Sequence, residues 1–160
     1  MSRRRILSLW FPRLGAERLI RAGRGVQAGP LAVVAEQGNM QVVTSVSAEA
    51  AAGGVRAGQP VRDAHAMCAA LITRSRNALA EAAFLAALRR WAGKFSPWVA
   101  EEAPDGLVID LSGCAHLFGG EEALLQVVED DCTDMGLSVR LGLADTLGAA
   151  QYMLDRAVAY

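Results

Sequence analysis

Four acids stand in one short stretch, Val99-Ala-Glu-Glu-Ala-Pro-Asp-Gly-Leu-Val-Ile-Asp110. Carboxylates on a turn between two strands are the residue type that holds divalent cations for phosphoryl transfer. That chemistry needs several of them, because one carboxylate can neither position nor neutralise two cations about 3.5–4 Å apart. The turn Ala103-Pro-Asp-Gly106 carries one acid, Asp105, and Pro, Asp and Gly in that order are also ordinary turn chemistry. Glu101 and Glu102 lie on the strand leading into it, where alternation sends only one of them to a given face. A second acidic group, Glu129-Asp-Asp-Cys-Thr-Asp134, has helical spacing that spreads its carboxylates around the helix, so it reads as a solvated face rather than a metal cluster. Acids near a helix C-terminus oppose its dipole, which points to a basic partner. Glu129, Asp130, Asp131 and Asp134 are therefore the expected partner surface, joined by Trp98 and Leu117 if these are exposed rather than core. His65 and His116 are isolated and receive no role.

The elements that must position these residues come from a chain of 160 residues, 52% hydrophobic, enough for one sizeable core or a core plus a small lobe. No run approaches the roughly 20 apolar residues of a membrane helix. The opening Met-Ser-Arg-Arg-Arg-Ile-Leu-Ser-Leu-Trp-Phe-Pro resembles a secretory n-region but lacks the length and the cleavage site. Cys68, Cys114 and Cys132 are far apart without a Cys-x-x-Cys pair, so reduced thiols in a cytoplasm are expected, with no metal and no cofactor. The net charge of −1 hides a division: residues 1–94 carry 14 basic against 5 acidic side chains, and residues 95–160 carry 2 against 12. Fifteen of the sixteen basic residues are Arg, suited to phosphate or carboxylate recognition, although compositional bias alone gives the same count. Arg56, Arg62, Arg74 and Arg76 are the expected nucleic-acid contacts, and whether they share a face is left open.

Periodicity predicts a strand over Arg5–Phe11, a helix over Leu14–Arg21 broken at Ala22-Gly-Arg-Gly25, and a hairpin of Leu31–Glu36 and Met40–Ser47 around Gln37-Gly-Asn39. A short turn or helix follows at Ala48–Gly54. Pro60 opens a helix with Val61, Ala64, Met67, Cys68 and Leu71 in step, and Asn77 caps another with Phe84, Leu88, Trp91 and Phe95 on one stripe. Trp98–Glu101 and Leu107–Leu111 form a second hairpin, followed by a helix over Glu121–Met135, a strand over Leu137–Leu143 and a helix over Thr146–Ala159. Leaving out the first hairpin and its neighbours, the order is β-α-β-β-α-β, an α+β fold of the split, ferredoxin-like kind with a lobe inserted after its first strand.

Several segments together resemble the N-terminal half of Y-family (DinB/UmuC-type) translesion DNA polymerases: Ile6–Ala16, Ser45–Pro60 with Glu-Ala-x-x-x-Gly-Val-Arg-Ala-Gly, Phe95–Gly113, and Leu137–Asp155 with Val-Arg-Leu-Gly-Leu-Ala-Asp. The spellings Leu-Trp-Phe-Pro, His-Leu-Phe-Gly-Gly-Glu and Gly-Leu-Ala-Asp-Thr-Leu-Gly-Ala-Ala are similar to the ImuB branch, whose members are inactive homologues in bacterial mutagenesis cassettes. Phe118-Gly-Gly-Glu-Glu-Ala also resembles the diguanylate cyclase signature, but that motif sits on a hairpin and this one starts a helix. The Y-family resemblance implies a polymerase palm: residues 1–16 its first strand, 17–76 a fingers-like lobe, and 77–160 the remainder. It places Trp10 where the first metal-binding Asp stands, Phe11 at a site offering only a backbone carbonyl, Asp105 on a retained acid and Gly106 where a Glu is needed. Asp110 matches a retained acid that is not a metal ligand. The triphosphate contacts Tyr, Arg and Lys correspond to Ala48, Ala51 and Gln151.

The resemblance therefore implies an inactive pseudo-polymerase acting as a protein scaffold in translesion synthesis, in a bacterial cytoplasm and at the nucleoid when acting. The expected partners are a RecA-like companion (ImuA type) and an error-prone C-family polymerase. The sliding clamp is expected only through downstream regions that this chain does not include, and DNA binding is expected to be weak or nil. Two other classes remain open: an active polymerase core with displaced ligands, and a weak nucleic-acid-binding module.

Overall fold

Alternation along the first strand organises the larger of two compact units, Met1–Pro12 with Ala82–Tyr160; the other is Arg13–Glu81. The computed structural model describes residues 4–23 and 29–158, and Arg24, Gly25 and Ala159 of the expected helix ends lie outside them. In the larger unit β1 (Ile6–Trp10) runs between β6 (Gly106–Asp110) and β7 (Arg140–Ala144), with β5 (Val99–Glu102) beyond β6. All neighbours are antiparallel, so β5 is parallel to β1 with β6 between them: the split βαβ arrangement. The register puts Val99, Ile109, Leu7 and Leu143 in one row and Glu101, Leu107, Leu9 and Leu141 in the next, on one face. Leu7, Leu9, Leu107 and Ile109 are fully buried there, each burial contributing about 1.5–3 kcal/mol.

Helices α4 (Ala78–Ala92) and α5 (Glu121–Asp134) supply more of this core through Leu85, Leu88, Leu124 and Val128. As expected, Asn77 caps α4 by accepting the Ala80 N–H at 3.0 Å. Phe95 lies past the helix end, where its N–H bonds the Ala92 carbonyl. It is nonetheless buried, edge-on to Trp91 at 5.3 Å and tilted against Phe118 at 5.4 Å. The last strand starts later than expected because Gly136 and Leu137 finish α5: Gly136, at φ 76°, donates to Thr133 and Leu137 donates to Cys132. Helix α6 (Leu147–Val158) lies over β1 and β7, close enough that a Cβ at Gly142 would collide with the Ala150 carbonyl.

The smaller unit has a three-stranded sheet, β3 (Met40–Val46), β2 (Leu31–Gln37) and β4 (Ile72–Ser75), with α1 (Leu14–Ala22), α2 (Ala48–Ala52) and α3 (Val61–Met67). Leu31 and Val33 meet Ala16, Leu19 and Ile72 on one side of it. Ala32, Val34, Val43 and Val46 meet Ala50, Val55 and Ala64 on the other. β4 is a correction to the sequence reading, which ran the helix on to Leu71 and had no strand after it. Its pattern, Ile-Thr-Arg-Ser, carries no periodic signal, and only parallel pairing with distant β2 makes it a strand. Among the described residues no helix is long and apolar enough to cross a membrane.

Ser47 joins two of these elements. Its buried hydroxyl accepts the Ala50 N–H at 3.1 Å, capping α2, and the Leu31 N–H at 3.0 Å. Ser47→Ala orphans both donors and is expected to destabilise the protein by about 1–3 kcal/mol. A urea unfolding midpoint unchanged from the native chain would contradict this accounting.

Candidate functional site

Strand alternation sends Ser8 and Trp10 to the face opposite Leu7 and Leu9. On that face the row through Trp10 reads Glu102, Gly106, Trp10, Arg140. A cavity of about 330 Å³ opens there, lined by Ser8, Trp10, Glu102, Asp105, Gly106 and Gln151 among others. The Trp10 indole N–H donates to Asp105 Oδ2 at 3.2 Å. The Phe11 N–H donates to the Asp105 carbonyl at 2.9 Å while its ring is fully buried, so Phe11 serves the core and braces the turn through its backbone. Gln151, from α6, donates to Glu102 Oε1 at 2.6 Å. The structure thus brings together Trp10, Asp105, Gly106 and Gln151.

Glu102 is the site residue missed by the sequence assignment. The signal was present, since alternation allowed one of the two glutamates on the turn's face, but nothing local said which. Glu101 points to the other face, 3.7 Å from Arg89. Gly106 has little room for a side chain: a Cβ would meet the Leu9 carbonyl at 3.0 Å and the Glu102 carbonyl at 3.2 Å. Asp110 stays out of the cluster, its Oδ1 accepting the Ser112 N–H at 3.0 Å, and hydrogen bonds from the Ser112 hydroxyl and N–H hold its carboxyl below the usual range.

Ala48, Ala51 and the four expected arginines belong to the smaller unit. Ala48 is exposed, and Ala51 packs on the α2–α3 core. The four arginines do not share one face. Arg74 pairs with Val33 and follows Ile72 on the α1 side of the sheet, whereas Arg56 and Arg62 lie in the α2–α3 layer opposite. Arg56 donates to the Ala51 and Val55 carbonyls, Arg62 is almost wholly exposed, and Arg76 is 3.1 Å from the buried Glu81. The charge division also shrinks in three dimensions, because Arg89, Arg90 and Lys94 fall in the unit that holds the acidic helix. Residues 13–81 carry eight basic against five acidic side chains, a net +3, and the rest eight against twelve, a net −4.

On α5 the expected acidic surface is partly used internally. Asp131 accepts from the Trp91 indole at 2.9 Å and from Lys94 Nζ, and Asp130 accepts from Gln126 at 2.9 Å, leaving Glu129 and Asp134 among the exposed acids. Trp98 and Leu117 are exposed, 70% and 71%. Cys132 is buried and its thiol is pushed up to about 12, chiefly by burial and then by Asp131 and Glu129; Cys68 and Cys114 are half-buried and free. Among the described residues no three His, Cys, Asp or Glu are grouped to hold a metal ion.

Residues 16–155 match the impB/mucB/samB family. The chain belongs to this Y-family polymerase group. It is 40% identical over 97 residues to Protein ImuB of Caulobacter vibrioides, a match covering 61% of the chain and 21% of that protein. It is 32% identical over 106 residues to DNA polymerase IV 2 of Mesorhizobium japonicum, covering 66% and 26%. The chain thus spans about a fifth to a quarter of the curated relatives it matches. Its fold superposes on the insertion ternary complex of Dbh DNA polymerase with a TM-score of 0.77 at 18% identity, covering 95% of the chain and 46% of that protein. For DinB from Sulfolobus solfataricus the TM-score is 0.74, with 95% and 45% covered. The two sheets and their helices are accordingly a Y-family palm and fingers, as the resemblance implied.

The bonds from Lys94 and Trp91 hold the Asp131 carboxyl below its ordinary value, Lys94 contributing most. A lowered folded pKa gives stability that is present above the unfolded value of about 3.9 and lost as pH falls through the folded one. Asp131→Asn is expected to cost about 0.5–1 kcal/mol at neutral pH, with the gap to the native chain closing below about pH 4. Denaturant titrations at pH 7 and pH 3 check both halves; an equal gap at both pH values refutes the assignment.

Proposed function

We propose that this domain is a Y-family polymerase fold that no longer transfers nucleotides and serves as a protein-interaction scaffold in bacterial damage-induced mutagenesis. The observation that carries the reading is the Trp10–Asp105 hydrogen bond. An indole N–H donates and cannot ligate a cation, and here it occupies an oxygen of the one acid retained on the turn. Gly106 supplies no second carboxylate, and its neighbourhood resists one. Glu102 and Asp105 alone do not fit a two-cation site, whose charge and geometry need more acids.

The positions that would hold a triphosphate argue the same way. Ala48 and Ala51 offer no side-chain donor, and the Gln151 amide is engaged by Glu102. A charge-assisted hydrogen bond to a phosphate is worth about 1.5–3 kcal/mol, so without the Arg and the Lys the affinity for a nucleotide falls by orders of magnitude. Similarity to ImuB supports the scaffold reading, and by that resemblance the partners are a RecA-like companion and an error-prone C-family polymerase. The exposed acids Glu129 and Asp134 are one candidate docking surface; Asp131 is better left intact because it ties α5 to Lys94 and Trp91.

The chain is expected not to extend a primer with Mg²⁺ or Mn²⁺, alone or joined to the downstream regions of its relatives. Template-dependent incorporation that disappears in Asp105→Ala would instead establish an active polymerase.

DNA binding is expected to be weak and to be lost as salt rises. Arg76 is paired with Glu81, Arg74 is on the opposite side of its sheet from Arg56 and Arg62, and a few scattered phosphate contacts give a shallow, screened attraction. Fluorescence anisotropy on a primer–template near physiological ionic strength checks this, and salt-resistant binding refutes it.

A further inference from the structure

The face of the larger sheet that carries Trp10 is only half covered. α6 lies over β1 and β7, where Ala150 and Leu154 are buried. Beyond it the register of β6 with β5 puts Val108 beside Ala100, with Glu102 next along β5, and Trp98 immediately precedes that strand. The Asp110 N–H bonds the Trp98 carbonyl at 2.9 Å, which extends the pairing one residue before β5 and, by alternation with Ala100, puts Trp98 on the same face as Asp110. Trp98 is 70% exposed, Ala100 is exposed, and Val108 and Asp110 are half-exposed. An exposed indole beside alanine and valine, flanked by two carboxylates, is not a solvated polar surface, since an apolar patch bounded by charge marks an interaction site.

We propose that this β5–β6 half-face docks a protein segment that presents an apolar side chain next to a Lys or Arg. The proposal rests on the scaffold reading above and names the surface and the chemistry it selects. The apolar side chain lies on Trp98, Ala100 and Val108, and the cation meets Glu102 and Asp110 or stacks on the indole. The Ser112 hydrogen bonds hold the Asp110 carboxyl below its ordinary value, and among the described residues Arg4 adds a smaller electrostatic contribution in the same direction. The same carboxylates repel a phosphate backbone, which makes a nucleic acid the wrong occupant.

The test uses Trp98→Ala, Ala100→Lys and Ala100→Glu in the full chain, all at exposed positions, with melting temperatures as the control for folding. Purified RecA-like companion and error-prone C-family polymerase from the same bacterium are the probes, titrated by surface plasmon resonance at two salt concentrations. Trp98→Ala and Ala100→Lys are expected to weaken capture of at least one probe by about tenfold or more, while Ala100→Glu retains or tightens it, most clearly at low salt. If the native chain and all variants bind a probe equally, the half-face is not the docking site and the scaffold reading stands without it. If the native chain binds neither probe, the scaffold reading falls and takes this proposal with it. Loss of self-association in Trp98→Ala by analytical ultracentrifugation would make the occupant a second copy, and loss of primer–template binding in that variant would make it a nucleic acid; either overturns the proposal.

Discussion

The central strand β1 is hydrogen-bonded on both edges, to β6 and β7, and its two-residue alternation sorts everything around it. Leu7 and Leu9 go to the leucine core and meet Ile109, Leu143, Leu107 and Leu141; Ser8 and Trp10 go to the other side, under and beside α6. A slip of one residue would exchange these sets and put a serine and an indole N–H into the core in place of two leucines. The burial of Leu7 and Leu9 therefore fixes where Trp10 stands, and with it the donor that reaches Asp105.

That constraint also separates the core from the candidate site. The side of the sheet that holds the core is apolar and independent of positions 10, 105 and 106, so the residue types found there cost it nothing. On the other side, carboxylates that in a working two-cation site would face metal ions need other donors. Trp10 and Gln151 supply these to Asp105 and Glu102. Both donors are neutral, and each satisfies one oxygen without demanding the opposite charge that a cation site or triphosphate pocket would require. These bonds form a structural link between the turn, β1, β5 and α6.

Charge gives a second lesson. Counted along the chain, a basic first half faces an acidic second half, but the fold mixes them. Arg5 bonds Glu121 and Asp145 across the larger unit, Lys94 bonds Asp131, and Arg89 approaches Glu101. Much of the apparent dipole is neutralised inside one unit, by bonds that join its strands and helices. Among the groupings outside these bonds, the carboxylates of Glu102 and Asp110 lie on the face of the exposed Trp98 indole.

The order of elements, the hairpin turns, the Asn77 cap and the family itself could be read from the sequence, because period-two and helical apolar patterns, turn residues and collinear motifs are local properties of the chain. The absence of an acid at position 10 and of a second acid at 106 was equally plain, since residue identity needs no fold. Tertiary structure decided what no local pattern encodes. Ile72–Ser75 became a strand only through parallel pairing with β2, and Leu137 closed a helix rather than opening a strand. Glu102 rather than Glu101 joined Asp105, because the register with β6 set which face each glutamate took. The exposure of Trp98 depended on how far α6 reaches across the sheet, and the separation of Arg74 from Arg56 and Arg62 on which side of β2 each packs. The hairpin register and the helix end are set over a few residues, but the pairing of β4 with β2 and the reach of α6 across β1 join residues remote in sequence, and such contacts exist only once the chain has folded.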